Sequence, residues 1–212
     1  QGLPARDDPA LRAAFDAVAG EVLGALGGAG PGLLKRLRSL ERERLWREVG
    51  RLADLDAGRP PFAVQAEQPL ELRLGPLAFR LRIDRLERIG PDCVVIDYKT
   101  GTPPRMSRWV AERIQDCQLP LYAVGTGAAA IAVLEFRPER LAVRGMGNAD
   151  FGLPGVKTAA DATGEDGLDW PALRARWRTR LEQLAAELAA GDFRVNADDA
   201  ADAAGQFAML TR

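Results

Sequence analysis

Two acidic residues and a lysine carry the chemistry open to this chain. Asp84 lies in the run Leu81-Arg82-Ile83-Asp84-Arg85, and Asp97 and Lys99 in Val95-Ile96-Asp97-Tyr98-Lys99-Thr100-Gly101. An acid on one strand followed by Asp-x-Lys on the next can bind a hard divalent cation through carboxylate oxygens, beside an ammonium group. Such a set suits phosphodiesters, because cation and lysine both stabilise negative charge on a phosphoryl group. Two carboxylates so close repel each other, so a cation or the Lys99 ammonium is needed to keep both ionised.

The elements that must position these groups can be read from periodicity. From Leu77 to Leu86 the chain alternates, which sends Phe79, Leu81 and Ile83 to one face and Arg80, Arg82 and Asp84 to the other. Cys93 to Tyr98 is rich in Val and Ile on both faces, as an inner strand requires. Between them Ile89-Gly90-Pro91-Asp92 signals a turn. A hairpin centred between Gly90 and Pro91 sets Asp84 opposite Asp97, with Cβ atoms roughly 4.5 to 5.5 Å apart. Lys99 shares that face, and a register slip of one residue would undo the arrangement. Asp-x-Lys alone reads as an ordinary surface ion pair; the alternating strand, the turn and the apolar strand together favour a metal site.

These residues, with Gln118-Leu119-Pro120-Leu121-Tyr122 downstream, resemble the RecB-type branch of the PD-(D/E)xK nucleases, and more narrowly the RecB/AddB-like exonuclease domains of bacterial DNA repair proteins. The resemblance runs from about Arg59-Pro60-Pro61-Phe62 to Tyr122 and weakens in the flanking helices. It implies an α/β fold with a restriction-endonuclease-like core: a mixed sheet with three antiparallel strands, then helix and strand, behind N-terminal helices. It implies catalytic roles for Asp84, Asp97 and Lys99, and Mg²⁺ (or Mn²⁺) held by Asp84, Asp97 and the main-chain carbonyl of Tyr98. Gln118 and Tyr122 match a Gln-x-x-x-Tyr motif that helps position DNA. Their spacing puts them on one helix face, and Pro120 is tolerable in a first helical turn. The alternative for this pair is a face packed on the sheet. Arg82 is a further candidate for DNA contact, with Arg80, Arg105, Arg108, Arg113 and Trp109 as possible phosphate contacts, or else solvated surface.

Two departures from the family pattern bear on activity. Many members of this branch use a histidine from an upstream helix as a further metal ligand, and this chain has no histidine. Some relatives carry an iron–sulfur cluster, whereas Cys93 and Cys117 are the only cysteines and lack the number and spacing for one. No iron–sulfur cluster is expected, and both read as small buried residues. Glu67 either assists the metal site or is a charged residue at a strand entrance.

Composition sets the outer bounds. With 212 residues and 47% hydrophobic content the chain can bury a full core with appended helices. A net charge of −1 supplies no global basic field, so DNA affinity must come from local patches. No apolar run is long enough to span a membrane and no signal pattern opens the chain, and two cysteines without partners fit a reducing cytoplasm. Abundant Ala, Arg, Gly and Leu with few Lys points to a GC-rich bacterial genome. Without a histidine there is no Ser-His-Asp or Cys-His nucleophilic system, and no Gly-rich phosphate loop precedes a helix.

The chain divides into an N-terminal helical segment (1–58), a nuclease core with a C-terminal helix (59–190) and a tail (191–212). Helices are expected over Asp8–Leu26 and Leu33–Leu55 around a glycine-rich break at Gly27–Gly32. Strands follow at Phe62–Leu74, Leu77–Arg88 and Cys93–Lys99, with a turn at Gly75-Pro76. Helix over Ser107–Ile114 and Gln118–Val124 then leads to a strand at Ala129–Phe136 and an edge strand at Leu141–Met146. A loop spans Gly147–Asp169, and a last helix, Trp170–Ala190, carries the apolar stripe Trp177, Leu181, Leu184 and Leu188. Beginning without methionine, the chain reads as a fragment of a longer polypeptide, a DNA-acting nuclease with a possible helicase partner. The alternative is a catalytically impaired nuclease-fold module that binds DNA or a helicase.

Overall fold

In the computed structural model, residues 2–25, 31–101 and 105–192 are described; the glycines at 27, 28 and 30 and nearly all of the 191–212 tail lie outside them. Helix α1 (Pro9–Gly24) starts where Asp8 accepts a hydrogen bond from the Ala10 N–H at 2.8 Å and Pro9 opens the first turn. Helix α2 (Pro31–Ala57) extends past the expected Leu33–Leu55 at both ends. Strands β1 (Ala63–Leu74), β2 (Leu77–Ile89) and β3 (Asp92–Lys99) form an antiparallel meander. Short α3 (Ser107–Val110) and α4 (Gln118–Thr126) cross to β4 (Ala130–Arg137), which runs parallel to β3. Then come β5 (Arg140–Gly147), β6 (Val156–Lys157), α5 (Ala159–Thr163) and α6 (Trp170–Ala189). The described strands make one six-stranded mixed sheet in the order β1-β2-β3-β4-β5-β6. This is the α/β, restriction-endonuclease-like architecture.

The sheet is covered on both faces, which is why Cys93–Ile96 of β3 and Ala130–Leu134 of β4 are apolar on both sides. Val95, Ile131, Val133 and Met146 pack under Trp109, Leu119, Tyr122 and the α6 residues Trp170, Leu173, Trp177 and Leu181. Val94, Ile96, Ala130, Ala132 and Leu134 face the other way, toward Leu52 and Leu55 of α2. A two-residue turn joins Ile89 to Asp92, with Gly90 at φ +58° ahead of Pro91. Glycine first is what a type II′ hairpin turn requires. That turn sets the β2–β3 register as expected, Arg85 pairing with Ile96.

Several expectations are corrected. Helix covers only Ser107–Val110 of the Ser107–Ile114 stretch, since Ala111 turns out of it at ψ 150°. The Leu141–Met146 strand is not at the edge, because β6 pairs with it in parallel from within the supposed Gly147–Asp169 loop. That segment also holds α5. The α6 stripe ends before Leu188, which is exposed.

The strict alternation of β2 also fails, at the residue that matters most. Leu77, Phe79, Leu81 and Ile83 pack on the α4/α6 side of the sheet, and so does Leu86. The inward set thus changes parity between Ile83 and Leu86. The β1–β2 ladder pairs Ala66 with Arg85 and Gln68 with Ile83 but skips the step between, where Glu67 sits at φ +51°. A left-handed backbone at a non-glycine residue costs about 1–3 kcal/mol and marks a place the surroundings over-determine. The β2–β3 ladder stops at Arg85, so Asp84 is outside both ladders. Arg80 and Arg82 therefore do not share the Asp84 face. Arg82 is 73% exposed and pairs with Glu67 at 2.7 Å.

Candidate active site

Freed from the ladders, Asp84 bonds through its side chain: Oδ2 accepts the Tyr98 main-chain N–H at 3.0 Å. This fastens the β2 acid to the strand that carries Asp97 and Lys99. Asp97 is 1% exposed, and its Oδ2 lies 2.8 Å from Lys99 Nζ. From α4, Gln118 closes the group, its Oε1 accepting from Lys99 Nζ at 3.0 Å and its Nε2 donating to Asp97 Oδ1 at 2.8 Å. The Tyr122 hydroxyl, one helical turn on, donates to the Arg82 carbonyl at 2.7 Å and takes a 3.2 Å bond from Gln118 Nε2. Asp84, Asp97, Lys99, Gln118 and Tyr122 thus converge on one face where β2, β3 and α4 meet. Pro120 sits in the first turn of α4, where no intrahelical N–H bond is lost.

The charges are coupled. Burial raises the Asp97 carboxyl above the ordinary aspartate value; Lys99 pulls it down, and Asp84 and Asp116 push it up again. Burial acts to lower the Lys99 ammonium, but Asp97, Asp84 and Asp116 more than offset this and hold it above the usual lysine value. Burial also raises the Tyr122 phenol, against the hydrogen bond from Gln118. Lys99 is therefore a protonated cation and Asp97 an acid short of stabilisation.

That shortfall is what a cation would relieve. Asp97 Oδ2 is sealed from solvent and has the Lys99 ammonium nearby without an aligned hydrogen bond. The two carboxylates, Asp84 and Asp97, form a hard donor set suited to Mg²⁺, which keeps several waters and needs few protein ligands. Among the described residues, no group of three or more His, Cys, Asp or Glu side chains is placed to hold a metal.

Other candidates fall elsewhere. Trp109 is fully buried, with α6 donating to its carbonyl through Trp177 Nε1 at 2.8 Å, so it is core and not a phosphate contact. Arg113 pairs with Glu187 of α6. Cys93 is buried in β3 and Cys117 precedes α4. Asp116 was missed: two residues ahead of Gln118, its carboxylate accepts the Gln118 N–H at 3.2 Å. Its signal is an acid just ahead of a helical run.

The site thus stands on an acid-bearing hairpin followed by a helix and a strand parallel to the hairpin's second strand. The family model of the PD-(D/E)XK nuclease superfamily matches residues 2–202, and the chain belongs to that superfamily. No curated protein matches the chain. Among solved structures it is similar to the crystal structure of SSO0001, at 16% identity over 80% of this chain and 70% of that one, with a TM-score of 0.30. Among the described residues no helix is long and apolar enough to cross a membrane.

Proposed function

We propose that this protein is a divalent-metal-dependent nuclease that hydrolyses DNA phosphodiester bonds, an exonuclease-type, RecB/AddB-like domain acting in repair or recombination. The observation that carries the reading is the closed Asp97–Lys99–Gln118 group, with Asp84 tied to the strand between them. Asp84, Asp97 and the Tyr98 main-chain carbonyl would hold Mg²⁺ or Mn²⁺. When bound, the ion supplies Lewis acidity at the scissile phosphate. Lys99 stabilises the charge that develops there and orients the attacking water, while Gln118 keeps the Lys99 ammonium and the Asp97 carboxylate aimed at the same point. Its setting is a bacterial cytoplasm, within a longer polypeptide or beside a helicase.

The test is incubation of linear and circular DNA with the protein in Mg²⁺ or Mn²⁺, beside Lys99→Ala. Loss of one electrostatic stabiliser of this kind costs about 10²–10³ in rate, so Lys99→Ala should be nearly inactive, and linear DNA alone should be degraded by an exonuclease. Cleavage that survives the substitution would place the chemistry elsewhere. A second reading, a nuclease-fold module that binds DNA or a helicase without cutting, is favoured by the lack of histidine and by the lack, among the described residues, of three or more His, Cys, Asp or Glu side chains grouped to hold a metal. DNA binding without cleavage by either form would establish it.

A further inference from the structure

One strand beyond Lys99 lies a group of charges that the proposed reaction does not use. Glu135 of β4 is the Cα partner of Lys99 in the parallel β3–β4 ladder. Ile131 and Val133 pack on the α4/α6 side, and Glu135 and Arg137 continue the same alternation. On β5, Met146 is on that side and Arg144, paired with Val133, follows in step. Glu135, Arg137 and Arg144 therefore share the face that carries Asp97 and Lys99. With strands about 4.8 Å apart and a rise of about 3.3 Å per residue, the Arg137 and Lys99 Cα atoms are roughly 8 Å apart.

The chemistry of this trio is unbalanced. Glu135 is 1% exposed, and both its oxygens are sealed from solvent without an aligned hydrogen bond. Arg137 contacts one oxygen, and Arg144 stands 3.4 Å from the other. One guanidinium would neutralise the carboxylate; two leave a net positive charge. Glu135 is the only acid that either arginine is paired with among the described residues. The two guanidinium side chains are 40% and 43% exposed. Each has five N–H donors in a fork that matches a phosphate, and a contact held by charge without aligned bonds leaves most of them open. The buried carboxylate thus holds one end of each guanidinium fork, while both side chains remain partly exposed.

We propose that Arg137 and Arg144 form a backbone-phosphate subsite for the nucleic acid, next to the Asp84–Asp97–Lys99 group and anchored from below by Glu135. The subsite grips a phosphate adjoining the scissile one, so it rests on the nuclease reading for its place in a reaction but not for its affinity.

Binding of a fluorescein-labelled linear duplex, followed by anisotropy in EDTA over a range of salt, separates the two. Arg144→Gln leaves Arg137 to neutralise Glu135, and Arg137→Gln combined with Glu135→Gln avoids an unpaired buried charge. Each should weaken binding roughly three- to tenfold and reduce the slope of log affinity against log salt by about 0.9, the effect of one lost phosphate contact. Circular dichroism and melting temperature should stay as in the unsubstituted protein. An unchanged slope in both folded variants, or no duplex binding by the unsubstituted protein, overturns the subsite. If DNA is cut but the slopes do not move, the subsite fails and the nuclease reading stands; if slopes fall but Mg²⁺ gives no cleavage, the reverse holds.

Discussion

Asp97 is held in a state that favours binding over stability. Burial raises its carboxyl above the ordinary value in the folded protein, so the ionised form is penalised there relative to the unfolded chain. An acid raised in this way costs nothing at low pH, where both states are protonated, and costs most once pH has risen past the folded value. The metal-free Asp97→Asn variant should therefore resist urea better than the unsubstituted protein at neutral pH. That gain should shrink as pH falls through the raised Asp97 value and vanish below the ordinary aspartate value. Urea titrations in EDTA at several pH values read this directly, and a gain independent of pH would mean that packing, not charge, is responsible. The register putting Asp97 near Asp84 was legible from Gly90-Pro91, because a two-residue turn is a local device. The release of Asp84 from both ladders was not, since it depends on the left-handed Glu67 across the sheet.

Helix α6 sets the position of the site without touching it. Trp177 is fully buried, stacks edge-on with Trp170 at 5.4 Å and donates to the Trp109 carbonyl of α3. Arg180, one turn on, donates to the Val110 and Ala111 carbonyls at 3.0 and 2.8 Å. These bonds satisfy the open end of a four-residue helix that cannot close itself. They also hold the segment that leads to Asp116 and Gln118. Trp177→Ala should cost about 3–5 kcal/mol of stability, as large aromatic truncations in cores do, measured by chemical denaturation; a loss under about 1 kcal/mol would show that α6 is only loosely docked. Its apolar stripe was legible in the sequence as far as Leu184. That it ends there was not, because Leu188 looks the same in a helical pattern whether or not a neighbour covers it.

Across the whole molecule, a buried set of charges joins the end of α2 to the back of β2 and β3. Arg85 bonds both Asp56 oxygens, at 2.8 and 2.9 Å, and pairs with Glu87 at 2.6 Å; Arg59 grips Glu87 as well. Burial pulls the Arg85 guanidinium down, but Tyr98, Glu87 and Asp56 more than offset it and hold it above its usual value. The Tyr98 hydroxyl accepts from Arg85 at 3.2 Å on this side, while its N–H serves Asp84 on the other. Removing one partner strands a charge in the interior, so Arg59→Leu should cost about 3–5 kcal/mol. Arg59→Leu with Glu87→Leu should cost less than either change alone, because a buried pair can be replaced by apolar groups at little loss. A double-mutant cycle in urea tests this, and additive losses would refute it.

The chain's own pattern determined what depends on near neighbours. The two hairpin turns, the inner character of β3, the caps at Asp8 and Asp169 and the Gln118–Tyr122 spacing are all set by residues within a few positions of each other, so the α/β class and the convergence of acids and lysine could be read in advance. Only the tertiary structure decided the parity change that frees Asp84, the closure of the acid–lysine pair by Gln118, and the placing of Glu135 beside Lys99. It also decided which arginines stand on the face of Asp97 and Lys99. Each of these depends on contact between segments far apart in the chain, and one-dimensional periodicity has no term for what lies across a sheet.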